Sequence, residues 1–411
     1  MPRRIVVTGL GAVTPVGVGA GELWEALKAG RSGISPIASF DASTFSVRIA
    51  GEVHGFDTDP WMTAKEVKRT DRATHFALAA AKQAWQDAGD PTVDHARTGV
   101  LFSTGIGGLG SLLQQHKVYL EKGADRVSPF MVPMLMPNAA AGQVAMAFGF
   151  TGPNMCITTA CAAGAHAIGE ASVLIRDGRA DVCIAGGTEA CILELTVAGF
   201  AQMQALSRRN DDPERASRPF DRDRDGFVLA EGAGAIVLEE AERAVARGAR
   251  IYAELAGYGA SADAYHITAP EPEGLGAIQA MQACLEDAGE PPDAVDYINA
   301  HGTSTQLNDA SETRAIKKAL GDHARRVAIS STKSMTGHML GAAGAVEGAV
   351  SALVVHDGVI PPTLNYEHQD EDCDLDYVPN EARRADVRLA LSNSFGFGGQ
   401  NATLAFRRWE A

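Results

Sequence analysis

Short β-branched runs alternate with alanine-rich stretches of helical period along the whole chain. That alternation predicts an α/β protein whose helices pack on a sheet. Ile5-Val6-Val7 predicts a buried first strand rather than a secretory leader, because Thr8, Gly9, Gly11 and Pro15 interrupt the apolar run behind Arg3 and Arg4. The longest apolar stretch, Ala342 to Val355, is broken by Glu347 and is too short for a bilayer. No membrane insertion is expected.

The pattern also repeats. Gln83-Ala84-Trp85-Gln86-Asp87-Ala88-Gly89-Asp90-Pro91 returns as Gln282-Ala283-Cys284-Leu285-Glu286-Asp287-Ala288-Gly289-Glu290-Pro291, each a helix end with glycine just past it and proline beyond. Both lead into strands, Thr98 to Thr104 and Tyr297 to Ala300, that run into glycine-containing turns. Cys161-Ala-Ala-Gly164 opens one later helix as His338-Met-Leu-Gly341 opens another. The chain therefore reads as one fold used twice, residues 1–250 and 251–411, with Ala241 to Gly248 as the connecting helix and function where the strand ends of the halves meet.

Composition narrows the function. The 411 residues carry 36 Lys and Arg against 51 Asp and Glu, a net charge of −15, which argues against nucleic acid as a partner. Aromatics are 6% while glycines number 44, the profile of close helix packing and tight turns. Of six cysteines, Cys156, Cys161, Cys183, Cys191 and Cys284 lie in apolar surroundings and Cys373 in an acidic stretch expected to be exposed. Reduced thiols and a cytoplasmic location are expected.

Three motifs point to chemistry that their context denies. Gly105-Ile-Gly107-Gly108-Leu-Gly110 matches a dinucleotide fingerprint, but Ser128-Pro129, Pro133 and Pro137 stand where the next strand with its acidic end should be. Asp221-Arg-Asp223-Arg-Asp225-Gly226 opens like a calcium loop, yet glycine occupies the closing ligand position at 232; a charged turn before a strand explains it better. Cys156, Cys161 and His166 lack zinc-site spacing. Neither a metal nor another cofactor is expected.

Thr158-Thr159-Ala160-Cys161-Ala162-Ala163-Gly164 places Cys161 between an extended segment and an alanine-rich helix, in the helix's first turn. There the helix dipole favours the thiolate and should lower the thiol pKa below its usual ~8.5. His301, in Asn299-Ala300-His301-Gly302-Thr303-Ser304-Thr305, and His338, after Lys333-Ser334-Met335-Thr336-Gly337, stand at strand-to-loop transitions of the second half. A cysteine with two histidines suits acyl transfer through a thioester, followed by a step in which two neutral imidazoles donate to a developing enolate. Lys333 would hold that network or tune its charge.

These blocks, with Val7-Thr8-Gly9-Leu10-Gly11, Arg224-Asp225-Gly226-Phe227-Val228 and Asn393-Ser394-Phe395-Gly396-Phe397-Gly398-Gly399, closely resemble the elongating β-ketoacyl-acyl-carrier-protein synthases over essentially the full length. The resemblance implies a thiolase-like fold, duplicated α/β halves in a five-layered αβαβα sandwich, forming a homodimer. It implies that Cys161 carries the acyl chain, that His301 and His338 assist decarboxylation of malonyl-carrier protein, and that the N–H groups of Cys161 and Phe397 form an oxyanion hole. Phe397 would also gate the acyl entrance. Thr303 and Thr305 would hold the pantetheine arm, with Ile106, Phe200 and Phe395 completing the substrate-binding set. A degradative thiolase would carry a second catalytic cysteine where Phe395-Gly396-Phe397-Gly398-Gly399 stands, so condensation is implied rather than cleavage.

An acidic acyl-carrier protein would need a local basic patch on so acidic an enzyme. Lys65, Lys68, Arg69, Arg72 and Arg126 are the candidates, the first four at a spacing that suits one helix face. Other readings remain open: a polyketide or specialised ketosynthase with the same three residues, a silent acyl-binding subunit, or an oxidoreductase built on Gly105 to Gly110.

Overall fold

Ten strands make the main path of one large mixed sheet in the computed structural model, which describes residues 3–410. The first half contributes β1 (Ile5–Thr14), β2 (Thr98–Ser103), β3 (Asn154–Met155), β4 (Val182–Glu189) and β5 (Gly232–Glu240). The second contributes β6 (Ala253–Ala262), β7 (Tyr297–Asn299), β8 (Ala328–Ser330), β9 (Leu389–Gly396) and β10 (Gln400–Arg407). The order is β8-β7-β9-β10-β6-β1-β5-β4-β2-β3. From the middle outwards each half thus runs first, fifth, fourth, second and third strand. The halves join antiparallel through Val6↔Glu254 and Val7↔Ala253.

Seven helices fill the layers around these strands. α1 (Arg72–Asp87) and α3 (Ala139–Phe148) cover the outer face of the first half, while α2 (Leu109–Lys122) lies beyond β2. α4 (Ala163–Arg176) and α7 (Ala343–Asp357) pack on each other between the halves, and α5 (Leu275–Ala288) and α6 (Gln306–Leu320) cover the far face. The result is the five-layered αβαβα sandwich. In α7 every residue from Ala343 to Val355 is buried, as its apolar composition on all sides requires. α4 and α7 cross at Gly164 and Gly344: a Cβ on Gly344 would lie 2.8 Å from Ala165 N, and one on Gly164 2.7 Å from Ala345 N.

The structure moves the register of the duplication. Ala160 (φ 48°) and Leu340 (φ 45°) each open a one-turn 3₁₀ segment that passes into α4 at Ala163 and α7 at Ala343. The counterpart of Cys161 is therefore Gly341, not His338, which lies three residues earlier on the approach to the turn.

Two further expectations change. Cys373 is fully buried, packed with Tyr377 and Phe220 beneath its acidic neighbours, and Cys156 is half-buried rather than enclosed. Lys65 to Arg72 do not share a helix: one short helix ends at Val67 and α1 begins at Arg72, after the N-cap Asp71. Among the described residues no helix is long and apolar enough to cross a membrane, and all six cysteines are unpaired.

Candidate active site

The turn before α4 delivers Cys161 to the floor of a cavity of about 510 Å³. Ala160 holds a left-handed backbone despite its Cβ, a conformation that persists only where surrounding contacts impose it. His166, one turn into α4, helps impose it: Nδ1 lies 2.9 Å from Thr159 Oγ1 and 3.1 Å from the Ala162 carbonyl. Cys161 thus occupies the 3₁₀ turn just ahead of the helix.

The second half supplies the imidazoles. His338 Nε2 lies 3.0 Å from Cys161 Sγ, and the rings of His301 and His338 meet edge to face with centroids 5.3 Å apart. One ligand atom from each of Cys161, His301 and His338 lies within 4.8 Å of the others. Phe227 stacks edge-on against His338, and Phe395 against His301. The same cavity is lined by Ile106, Phe200, Thr303, Thr305, Phe395 and Phe397. Thr303 Oγ1 lies 3.0 Å from Thr305 Oγ1, and Thr305 also caps α6.

The charge state differs from the sequence expectation. Burial pushes the Cys161 thiol up to about 11, outweighing the N–H of Phe397, the charge of Lys333 and its own N–H, all of which favour the thiolate. Desolvation of a sulfur on this floor opposes the helix dipole. Burial, aided by Lys333, drives His301 and His338 well below the ordinary histidine range. The resting site is therefore a neutral thiol in hydrogen-bond contact with a neutral imidazole, beside a second neutral imidazole.

Lys333 sits behind the cavity rather than in it, fully buried, with Nζ 2.5 Å from Glu347 Oε1. Burial lifts Glu347 to about 7, against the pull of Lys333. Nearby, polar side-chain atoms of Asn299, Ser392 and Ser394 and Oε2 of Glu347 are buried without a hydrogen-bond partner, hard donors that suit ordered water or a small monovalent cation. Cys161 with both histidines would also suit a soft divalent ion; the geometry alone does not separate that chemistry from acyl transfer.

Sequence reasoning missed two buried carboxylates. Glu312, on α6, accepts the backbone N–H groups of His301 at 2.9 Å and Gly302 at 2.8 Å. Glu189, at the end of β4, accepts from Thr104 Oγ1 and Gly105 N, both at 2.8 Å. Their partners are mostly main-chain groups, which carry no residue signature; the one available signal was an acid at the end of an otherwise apolar strand.

The other motifs resolve as structure. A Cβ on Gly108 would strike Met134 O at 2.1 Å, so the glycine-rich loop serves close backbone packing. Asp221 Oδ2 accepts the N–H groups of Glu367 and His368, both at 2.7 Å, and Oδ1 that of Asp223 at 2.8 Å, which orders a turn. Of the basic candidates, Lys65, Lys68, Arg69 and Arg126 are exposed, with Arg69 over the Phe130 ring at 4.5 Å. Arg72 is exposed too, and it also pairs twice with the buried Glu231 and donates to the Val53 carbonyl.

Comparison with known proteins points to acyl chemistry. Residues 2–244 match the family described as beta-ketoacyl synthase, N-terminal domain, and residues 252–367 its C-terminal domain. A Synechocystis sp. protein named 3-oxoacyl-[acyl-carrier-protein] synthase 2 is 53% identical over 99% of both chains, and one of the same name from Coxiella burnetii is 50% identical over 99% of both. Among solved structures, a ketosynthase described in complex with its type II PKS acyl-carrier protein and bound to the hexaketide superposes with a TM-score of 0.93 at 38% identity, covering 100% of both chains. A beta-ketoacyl synthase from Burkholderia phymatum superposes with a TM-score of 0.91 at 37% identity, covering 99% of this chain and 100% of its own. With a thiol and two neutral imidazoles converging on one apolar cavity in a duplicated five-layered frame, the chain belongs to the β-ketoacyl synthase family, enzymes that condense acyl groups.

Proposed function

We propose that this protein is a 3-oxoacyl-[acyl-carrier-protein] synthase that elongates fatty acyl chains by two carbons through decarboxylative Claisen condensation. The observation that carries the reading is the 3.0 Å contact between Cys161 Sγ and His338 Nε2, with His301 beside it in the same apolar cavity.

Cys161 attacks the acyl-carrier thioester. His338 Nε2 takes the thiol proton and returns it to the departing carrier thiolate, which overcomes the high intrinsic pKa of the buried sulfur. The acylated sulfur no longer donates, so neutral His338, once its proton exchanges from Nδ1 to Nε2, joins His301 in donating to the malonyl thioester carbonyl. As the C–C bond to the carboxylate breaks and carbon dioxide leaves, the electron pair enters an enolate held by these two N–H groups. The enolate carbon attacks the acyl carbonyl, whose oxyanion faces the N–H groups of Cys161 and Phe397. Collapse expels the Cys161 thiolate, which takes up one proton and restores the resting enzyme. Lys333, paired with Glu347, contributes positive potential that holds both imidazoles neutral.

Thr303 and Thr305 suit the pantetheine arm, and Ile106, Phe200, Phe395 and Phe397 form the apolar wall against the acyl chain, with Phe397 as its gate. Lys65, Lys68, Arg69 and Arg126 present exposed positive charge for an acidic acyl-carrier protein. A homodimer is supported by exposed apolar side chains at the edge of the sheet, Met155 on β3 and Met146 on α3, which packs against that strand. Unpaired cysteines fit a cytoplasmic location. The division at residues 250 and 251 fits the repeated strand order, each half supplying one five-strand run of the sheet.

A specialised ketosynthase is the second reading, favoured by likeness to a structure described as the ishigamide ketosynthase/chain length factor, with a TM-score of 0.92 at 36% identity. The test for both is a condensation assay with malonyl-carrier protein and acyl-carrier proteins of graded length. Fatty elongation requires turnover of saturated acyl chains. Failure on every saturated chain, with turnover of polyketide intermediates, would transfer the assignment to the second reading.

A further inference from the structure

Glu189 is fully buried, faces no lysine or arginine at hydrogen-bond distance, and has no part in the chemistry above. Its two oxygens accept four hydrogen bonds. Oε1 takes Thr104 Oγ1–H at 2.8 Å and Ile106 N–H at 3.3 Å, and Oε2 takes Gly105 N–H at 2.8 Å and Gly341 N–H at 3.1 Å. The Thr104 hydroxyl itself accepts Gly107 N–H at 3.0 Å, so its own hydrogen is committed to Glu189. All four groups aimed at the carboxylate are thus donors, an arrangement that only the ionised form satisfies in full.

The partners come from both halves. Thr104 to Ile106 form the loop after β2 that lines the cavity beside Cys161, while Gly341 lies in the turn three residues after His338. Both glycines are needed for this grip, since a Cβ on Gly105 would lie 2.8 Å from Oε2 and one on Gly341 2.9 Å. Gly341 holds the place that Cys161 holds in the first half, and its N–H goes to Glu189.

We propose that Glu189 is a positioning residue of the condensation site, its carboxylate clamping the Ile106 loop of the first half to the turn behind His338 in the second and so fixing His338 against Cys161. The clamp rests on the ketosynthase reading for its consequence but not for its geometry. Burial lifts Glu189 to about 7 against these four donors, so above that pH it sets an anion near the thiol. The charged and titratable groups around Cys161 are Glu189 and the neighbouring thiols Cys156 and Cys191 from the first half, and His301, His338 and the Lys333–Glu347 pair from the second. Of these, Glu189 opposes thiolate formation and Lys333 favours it.

Two effects of opposite sign follow from its removal. Glu189→Gln turns an amide NH₂ towards main-chain donors and breaks the clamp, while deleting the anion that discourages thiolate. Condensation by the full-length enzyme is expected to fall ~10- to 100-fold, as misplacement of a reacting group does. The pH profile of Cys161 alkylation by iodoacetamide is expected to move to lower pH. Thr104→Val removes one donor and is expected to shift condensation in the same direction by several-fold, with a normal melting profile; it decides the matter if Glu189→Gln does not fold. The alkylation readout needs no carrier substrate, so wild-type condensation reports separately on the ketosynthase reading. Wild-type condensation in both variants overturns the clamp, as does an alkylation profile of a folded Glu189→Gln enzyme that stays in place or moves to higher pH.

Discussion

The turns that open α4 and α7 share a backbone and divide the chemistry. Each begins with a left-handed non-glycine residue, Ala160 at φ 48° and Leu340 at φ 45°, makes one 3₁₀ turn and enters a buried helix. In the first, the second residue is Cys161 and carries the nucleophile. In the second it is Gly341, whose missing side chain lets the backbone approach the loop after β2. Duplication built the frame; the catalytic asymmetry comes from a single position in each turn and from His338, three residues ahead of the second. A symmetric scaffold can thus hold an asymmetric site when one copy gives up its side chain to make room for the other.

Filling that room is the most damaging way to break the comparison. Gly341→Ala would set a Cβ 2.2 Å from Gly105 N, a main-chain collision that no rotamer relieves. Condensation is expected to be lost with a large drop in thermal midpoint, whereas Cys161→Ala, at the equivalent place, should lose condensation and keep the midpoint. Calorimetry with a condensation assay separates them. Equal stability of the two variants would show that the turns are not counterparts.

Lys333→Met comes next. It leaves Glu347 buried without its cation, at an expected cost of about 3 kcal/mol, and removes positive potential from the site. Loss of that charge raises the thiol pKa further and lets both imidazoles protonate more readily, so acylation of Cys161 should slow and the acid limb of activity should move to higher pH. Chemical denaturation and a pH–rate profile read these two effects. An unchanged acid limb would remove Lys333 from the electrostatics.

The duplication and the pairing of a thiol with two imidazoles were legible in the sequence because each leaves a residue signature: the Asp-Ala-Gly helix ends, the apolar strands, the Cys and His at strand-to-helix turns. The register of the duplication was not. Cys-x-x-Gly and His-x-x-Gly align by eye, but a left-handed Ala160 or Leu340 leaves no mark in the letters. Cys373 misled because its sequence neighbours are acidic while its spatial neighbours are Tyr377 and Phe220. Glu189 and Glu312 escaped because they bind main-chain groups. The thiol pKa depends on desolvation, which exists only after folding.

A finer effect concerns that thiol. With its pKa near 11 and both imidazoles neutral, the thiolate fraction is small at pH 7 and grows roughly tenfold per pH unit until the pKa is approached. Alkylation of Cys161 should therefore rise through pH 8 to 10. A plateau from pH 6 upward would indicate a thiolate–imidazolium pair and contradict the neutral resting site. The smallest effect is at the surface: Arg126→Glu should raise KM for carrier-linked substrates several-fold, more at low salt, with kcat unchanged.

The central claim is covalent and can be seen directly. Incubating the enzyme with carrier protein loaded with an acyl thioester, without malonyl substrate, and mapping the adduct by peptide mass spectrometry should find the acyl group on the peptide containing Cys161 and nowhere else, discharged when malonyl-carrier protein is added. An acyl group on another residue, or turnover with no acyl-enzyme at all, would contradict it.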